Sequence, residues 1–267
     1  MNMIKKNFKN LTRNYIINFI INFIRNIFSI VFPNHCIICG NMIESEKMNY
    51  ICINCINKLD YIHKDDYIKC ERCGRLIEDK DKTCACQYED IYFNECKSML
   101  YYKNATIDLI HKMKFGHRYL ICKDFGAILS FYYKDYIKKF DAITFVPLGR
   151  NRFLERGYNQ SEIIAKTISK ILNIKLIENI VGRKKETYPL SMIKDKELRK
   201  STIKNAFKIN KNKINKNFKN IVKKEKINIL IIDDVFTTGA TLNEISLEIR
   251  KIENINKIGV LTVARAY

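Results

Sequence analysis

The stretch Ile229–Leu242 reads ILIIDDVFTTGATL, and its residue types are suited to holding a sugar that carries a phosphate. Adjacent carboxylates, Asp233 and Asp234, can accept hydrogen bonds from vicinal ribose hydroxyls. Thr237, Thr238, Gly239, Ala240 and Thr241 follow, with hydroxyls, a permissive Gly and backbone N–H groups at the start of a helical pattern. Together these form a phosphate cradle. The apolar run Ile229 to Ile232 predicts a strand buried on both faces, as in a parallel sheet, and Leu242–Ile252 predicts the helix. The acid pair then falls at a strand's C-terminal end, where open α/β sheets bind ligands. An ordinary capped strand–turn–helix needs neither the acid pair nor the whole Thr-Thr-Gly-x-Thr run.

A second segment has matching chemistry. After Phe145-Val146-Pro147-Leu148, the chain continues through Gly149, Arg150, Asn151, Arg152, Phe153, Leu154, Glu155, Arg156, Gly157, Tyr158, Asn159, Gln160 and Ser161. A strand ends, a Gly turn follows, and arginines with two amides lead into a helix. Guanidinium groups grip phosphate oxygens bidentately. A solvated basic turn would account for Arg150 more readily than for the Arg156-Gly157-Tyr158-Asn159-Gln160 core.

The cysteines form a third constellation. Cys36-x2-Cys39 with Gly40 and Cys52-x2-Cys55 make one pair of knuckles; Cys70-x2-Cys73 with Gly74 and Cys84-Ala85-Cys86 make a second. Each pair aims two thiolates at one ion, and two pairs close a tetrahedral zinc shell with no open position, which is structural rather than catalytic. Sequential and interleaved pairing of the knuckles both fit the spacing. Buried or redox-active thiols would not need this arrangement. Cys96 and Cys122 lie outside it and read as core thiols.

These residues need a scaffold. Strands are expected at Lys97–Tyr102, Ala142–Val146, Ile227–Ile232 and Ile258–Ala264. Helices are expected at Ala105–Lys114, Phe125–Lys138, Ser161–Leu172 and Leu242–Ile252. The alternation predicts an α/β fold, a parallel sheet with helices on both faces. Three regions follow: an amphipathic helix over 1–32, a cysteine-rich double zinc-binding module over 33–90, and the α/β domain over 91–267. Residues 210–226 are a Lys/Asn-rich stretch that reads as a mobile loop or hairpin extension.

Lys and Arg outnumber Asp and Glu by 48 to 28, a formal charge of +20. That balance favours polyanions such as nucleic acid or an anionic membrane face, although Lys, Asn and Ile are heavily used throughout. The clustered cysteines suit metal ligation in a cytoplasmic setting better than a secreted disulfide framework. Asn14, Asn18, Asn22, Arg25, Asn26 and Ser29 recur at helical spacing within the apolar N-terminal stretch. This polar stripe argues against a transmembrane span. It favours a helix packed on a neighbouring domain over one making peripheral contact at the inner face of a membrane.

The 229–242 motif resembles the signature of type I phosphoribosyltransferases, which bind 5-phosphoribosyl-1-diphosphate (PRPP). The whole arrangement resembles the ComF family: a cysteine-knuckle module, Val146-Pro147-Leu148 with R-x3-R-G-Y-N-Q-S, a charged loop, then DDVFTTGAT. This family is amidophosphoribosyltransferase-like and linked to DNA uptake in competence. The resemblance, running from about Phe32 to Ala266, implies that Asp233 and Asp234 hold the ribose hydroxyls. Thr237, Thr238, Gly239, Ala240 and Thr241 would hold the 5′-phosphate, and Gly149 and Arg150 would take the diphosphate-loop position. Arg152, Arg156, Gly157, Asn159 and Gln160 match the family's own motif, a phosphate or substrate loop, and Arg199, Ala206 and Phe207 match a further pattern.

The chain departs from the family in three places. Pro189, Leu190 and Ser191 stand where Gln is common, Thr202 where Asn is common, and the last cysteine pair is C-x-C. The resemblance implies a Mg-dependent phosphoribosyltransferase with structural zinc. The alternative is a non-catalytic PRPP sensor or scaffold that engages single-stranded DNA or an uptake helicase through its zinc module and basic surface.

Overall fold

The computed structural model describes residues 34–43, 48–62, 68–77, 83–184, 195–210 and 225–266. The expected N-terminal helix, Pro189–Ser191 and most of the Lys/Asn-rich stretch lie outside these residues. The chain divides into two compact units, Met1–Ile56 and Asn57–Tyr267. The division falls inside the expected 33–90 module, so the second cysteine cluster shares a unit with the α/β domain.

In the first unit, a His35–Met42 bridge frames the first knuckle, and helix α1 (Ile53–Ile56) carries Cys55. The second unit opens with a small antiparallel pair, β1 (Ile68–Lys69) and β2 (Leu76–Ile77). A 3-10 turn at Ala85–Tyr88 holds the last cysteine. Then come β3 (Glu95–Tyr101), α2 (Ala105–Phe115), α3 (Leu120–Tyr132), α4 (Lys134–Ile137), β4 (Ala142–Phe145) and α5 (Arg150–Arg156). The chain continues through α6 (Gln160–Leu172), β5 (Lys175–Leu176), β6 (Val181–Arg183), α7 (Lys196–Ile203) and β7 (Phe207–Ile209). It closes with β8 (Ile227–Phe236), α8 (Ala240–Ile249) and β9 (Ile255–Arg265).

Five strands form one parallel sheet in the order β3-β9-β8-β4-β5, flanked by helices. The central strands are Ile- and Val-rich, and Ile229 through Ile232 are fully buried, as a strand covered on both faces requires. On one face, Leu242, Ile245 and Ile249 of α8 pack with Ile229, Ile231, Ile258 and Val260. β6 and β7 pair separately as an antiparallel hairpin whose Val181 and Phe207 join the same cluster.

The expected α/β sheet is present, with three local differences. The predicted helix over Phe125–Lys138 starts earlier and is broken at Tyr133, whose φ of −115° leaves the helical region while its hydroxyl donates to Ser98 O at 2.9 Å. The Gly149 turn leads into a helix of its own, α5. β8 runs four residues beyond Ile232, because β9 remains alongside it as far as the Phe236–Arg265 pair.

Candidate functional site

A crevice arises from unequal strand lengths. β4 pairs with β8 only as far as Phe145 and Ile232, and one further bond joins Val146 N to Ile232 O at 3.1 Å. Pro147 has no N–H to continue the ladder, and the chain turns away. β8 continues, so Asp233 and Asp234 lie on a strand flank that β4 has left. Their side chains replace part of the missing ladder: Asp234 N donates to Asp233 Oδ1 at 2.9 Å, and Val235 N donates to Asp234 Oδ1 at 2.7 Å.

Two residues outside the expected site hold the acid pair. Ser161 Oγ, at the start of α6, donates to Asp233 Oδ1 at 2.8 Å. Lys114 Nζ, near the end of α2, lies 3.0 Å from Asp234 Oδ2. Burial, followed by the adjacent Asp234 charge, pushes the Asp233 carboxyl up to about 7, while the Ser161 hydrogen bond works in the opposite direction. Ser161 could have been suspected because it completes the Arg-Gly-Tyr-Asn-Gln-Ser run. Lys114 gives no sequence signal, since its contact depends on how α2 packs beyond the sheet.

The Thr237–Thr241 loop follows directly. Gly239 has φ +78°, and a Cβ there would lie 2.6 Å from the Phe236 ring, so the loop closes tightly over Phe236 only without a side chain. Thr238 Oγ1 accepts from Ala240 N, the first N–H of α8, at 3.4 Å, and the N-cap residue, Gly239, has no side chain to add a further cap. The first turn of α8 carries no acidic residue, so its N–H groups and dipole face an uncountered anion position.

The second loop proves to be largely a joint. Gly149 is buried at the start of α5, Arg150 is exposed as its first residue, and Gly157 closes it with φ +78°. Asn159 Oδ1 caps α6 by accepting from Ser161 N and Glu162 N, and Asn159 Nδ2 donates to Val146 O at 3.0 Å. Its amide therefore fixes the end of β4 to the start of α6. Tyr158 Oη donates to Met113 O, tethering the joint to α2 beside Lys114. The Arg156 guanidinium lies 5.1 Å from the Phe115 ring centroid. Buried Nε of Arg156 and Nε2 of Gln160 have no hydrogen-bond partner among the described residues, which marks them as candidate donors to a ligand. Arg152 is half-buried on α5.

A cavity of about 410 Å³ adjoins this joint, lined by Phe145, Pro147, Leu148, Arg150, Phe153, Asn179 and Arg183 among others. Another wall is β6 of the β6–β7 hairpin, which the sequence pattern did not disclose. Ala206 and Phe207 are core residues at the base of that hairpin, and Arg183 lies 5.3 Å from the Phe207 ring centroid. Arg199 lies on α7.

The cysteines gather as two sets of four, Cys36, Cys39, Cys52, Cys55 and Cys70, Cys73, Cys84, Cys86, with all Sγ atoms of a set within 4.8 Å of one another. The knuckles are therefore used in chain order. Cys39–Cys52 Sγ atoms are 3.8 Å apart, Cys70–Cys86 3.4 Å and Cys73–Cys84 3.5 Å. A tetrahedral zinc–thiolate shell has edges of about 3.8 Å, so both sets fit zinc. The two knuckles also repeat their backbone: Gly40 N donates to Cys36 O and Gly74 N to Cys70 O, with φ +75° and +71° at the glycines. Burial pushes the Cys73 thiol above its ordinary value, a penalty on the thiolate that a bound dication removes.

Among the described residues, no helix is long and apolar enough to cross a membrane. Residues 27–87 match the double zinc ribbon domain family. Competence protein F of Haemophilus influenzae is 29% identical over 241 residues, covering 88% of this chain and 98% of that protein. Competence protein ComFC of Streptococcus pneumoniae is 25% identical, covering 79% and 90%. DNA utilization protein YhgH of Escherichia coli K12 is 25% identical, covering 68% and 78%.

Proposed function

Because the chain belongs to the ComF family, carrying its structural double zinc ribbon ahead of a parallel α/β domain, we propose that it binds PRPP with Mg2+ at the β4–β8 crevice and transfers the phosphoribosyl group, in a competence-related role in DNA uptake at the cytoplasmic side. One observation carries this reading. Where β8 outruns β4, a pair of carboxylates stands directly before a Gly-closed loop and a helix N-terminus whose N-cap residue is glycine. Asp233 and Asp234 accept the ribose hydroxyls, and Thr237–Thr241 hold the 5′-phosphate. Gly149 and Arg150 face the diphosphate, with Gln160 Nε2 and Arg156 Nε as further donors.

The acid oxygens suit a hard cation, and Mg2+ arriving with PRPP supplies charge neutralisation to the diphosphate. The residues of the chain do the rest. As the bond from the anomeric carbon to the diphosphate oxygen breaks, the diphosphate leaves with the electron pair, and Arg150 stabilises its growing charge. Lys114 balances the charge of Asp234. The acceptor nucleophile approaches through the 410 Å³ cavity, which shares Arg150 with the diphosphate position.

Calorimetry with PRPP and Mg2+ tests the reading. Asp234→Ala is expected to bind about ten- to hundredfold more weakly than wild type, the worth of lost hydrogen bonds to a charged group. Equal affinity in both, or no binding by wild type, would defeat it.

A second reading is favoured by the +20 charge and the zinc module. In it the crevice senses PRPP without turnover, and the basic surface engages single-stranded DNA or an uptake helicase. Diphosphate release from PRPP with a panel of amines and bases supports the enzyme. Binding without release, beside salt-dependent DNA affinity, supports the sensor.

A further inference from the structure

We propose that Arg265 is a positioning residue that ties the second zinc knuckle to the phosphate loop, so that zinc at Cys70, Cys73, Cys84 and Cys86 and phosphate at Thr237–Thr241 favour one another. The phosphate half of this statement rests on the PRPP reading; the physical joint does not.

Arg265 ends β9 and is 4% exposed. Its Nη1 donates to the main-chain carbonyl of Cys73 at 2.6 Å, so the guanidinium grips the knuckle at the backbone of a zinc ligand. The same guanidinium lies 4.2 Å from the ring centroid of Phe236, its partner in the β8–β9 register. Phe236 is also 4% exposed, and Phe93 meets it edge-on with centroids 6.3 Å apart. The Phe236 ring fills the space beneath Gly239. The order of contact is therefore Cys73, Arg265, Phe236, Gly239. A Cβ at Gly74 would lie 3.0 Å from Arg265 Nη1 and 2.8 Å from Cys96 O, so the knuckle glycine is what allows this approach.

A second bond path runs parallel to the first. Asn243, in the first turn of the helix after the loop, donates to Asp90 O at 2.7 Å and accepts from Tyr92 N at 2.8 Å. Arg72, inside the knuckle, donates to Ile91 O at 2.7 Å. The helix end of the turn is thus fastened to the segment that leaves the zinc site.

The energetics make the joint two-state. A knuckle of this kind has its fold only with metal bound. When it opens, the guanidinium loses its short bond to the Cys73 carbonyl, one of the contacts that fix it in place. Arg265 is then held less firmly over the Phe236 face. A ring that is no longer clamped leaves the Gly239 turn without its floor. Coupling between two sites through a shared element is reciprocal, so phosphate on the loop also holds the knuckle closed.

Hydrogen exchange by mass spectrometry on the full-length zinc-loaded chain tests the joint without any ligand. Arg265→Met is expected to raise exchange about tenfold over residues 236–243, while residues 160–172 of α6 keep wild-type protection. Arg265→Lys, which can still donate to the Cys73 carbonyl but cannot stack as a plane, should restore part of the protection. If Arg265→Met fails to fold, wild type stripped of zinc by a chelator gives the same comparison. Unchanged exchange at 236–243, or a uniform rise that includes α6, would overturn the proposal. In a second arm, PRPP with Mg2+ should slow zinc release from one of two kinetic phases in wild type. PRPP that binds yet alters neither phase would defeat the reciprocal claim. Wild type that binds no PRPP would instead defeat the functional reading, while the exchange comparison still decides the role of Arg265.

Discussion

Lys114 Nζ and Asp234 Oδ2 are 3.0 Å apart, with side chains 23% and 13% exposed, and this pair is the charge balance of the crevice. Asp233 and Asp234 are consecutive carboxylates on a strand flank, and the Asp234 charge raises the cost of ionising Asp233. Lys114 offsets that cost from α2. The tether from Tyr158 to Met113 O keeps α2 in place for this purpose.

Replacing Lys114 with Met should therefore weaken PRPP binding without unfolding the protein. The pair is partly screened, so the expected loss is about 1 kcal/mol, close to fivefold in affinity. The loss should be greater at pH 6 than at pH 8, because a missing cation favours the protonated Asp233 carboxyl. Calorimetry at the two pH values measures both effects. Wild-type affinity at both would show that Lys114 has no part in the site.

The pH dependence of the unliganded protein follows from Asp233. Its folded-state value of about 7 stands above the ordinary 3.8. Its contribution to stability is thus fully present below about pH 4 and is lost as pH rises through about 7. Thermal unfolding of wild type against Asp233→Asn should show the wild type losing ground between pH 5 and pH 8, with the variant flatter. PRPP affinity should move the opposite way and rise over that range, since the ribose hydroxyls need an ionised acceptor. Ser161→Ala removes the hydrogen bond that favours ionisation and should shift the affinity rise to higher pH. Parallel stability profiles for wild type and Asp233→Asn would show that Asp233 does not titrate there.

How far the sequence reveals this site depends on the range of each interaction. The acid pair, the Thr-Gly turn and the cysteine knuckles are local motifs, and spacing alone brings each together. The parallel sheet was legible because Ile229–Ile232 and Ile258–Ala264 are apolar on both faces. Asn159 was legible as a motif residue but not as a helix cap and strand tie, a role defined by the distant carbonyl of Val146. Lys114 and the β6–β7 hairpin were missed for the same reason. A lysine among others near a helix end, and two three-residue strands on either side of a charged stretch, acquire meaning only through contacts across the sheet.

The zinc sites predict a stoichiometry. Two closed four-thiolate sets should hold two zinc ions per chain, and Cys73→Ser should remove one of them. Metal analysis of freshly purified protein measures this directly. A folded protein with free thiols and no zinc would contradict the assignment.

Gly239 gives the sharpest mutational test of the phosphate loop. Its φ of +78° is one that an L side chain rarely adopts, and a Cβ would meet the Phe236 ring at 2.6 Å. Phe236 cannot yield easily, because Arg265 lies over it and Phe93 meets its edge. Gly239→Val must therefore either strain the turn, at about 1–3 kcal/mol for a residue held in a sparsely populated region, or push the loop away from its floor. The first outcome lowers thermal stability. The second removes the backbone N–H groups from the position where a 5′-phosphate would sit, and no side chain in the loop can replace them. Both should cost more PRPP affinity than Thr237→Ala, which removes one exposed hydroxyl and leaves the turn intact. DNA affinity, which would depend on distributed lysines and arginines, should change in neither variant. Calorimetry with PRPP, together with a salt series on single-stranded DNA, separates these effects. A Gly239→Val protein that binds PRPP as tightly as wild type would show that the phosphate is held elsewhere.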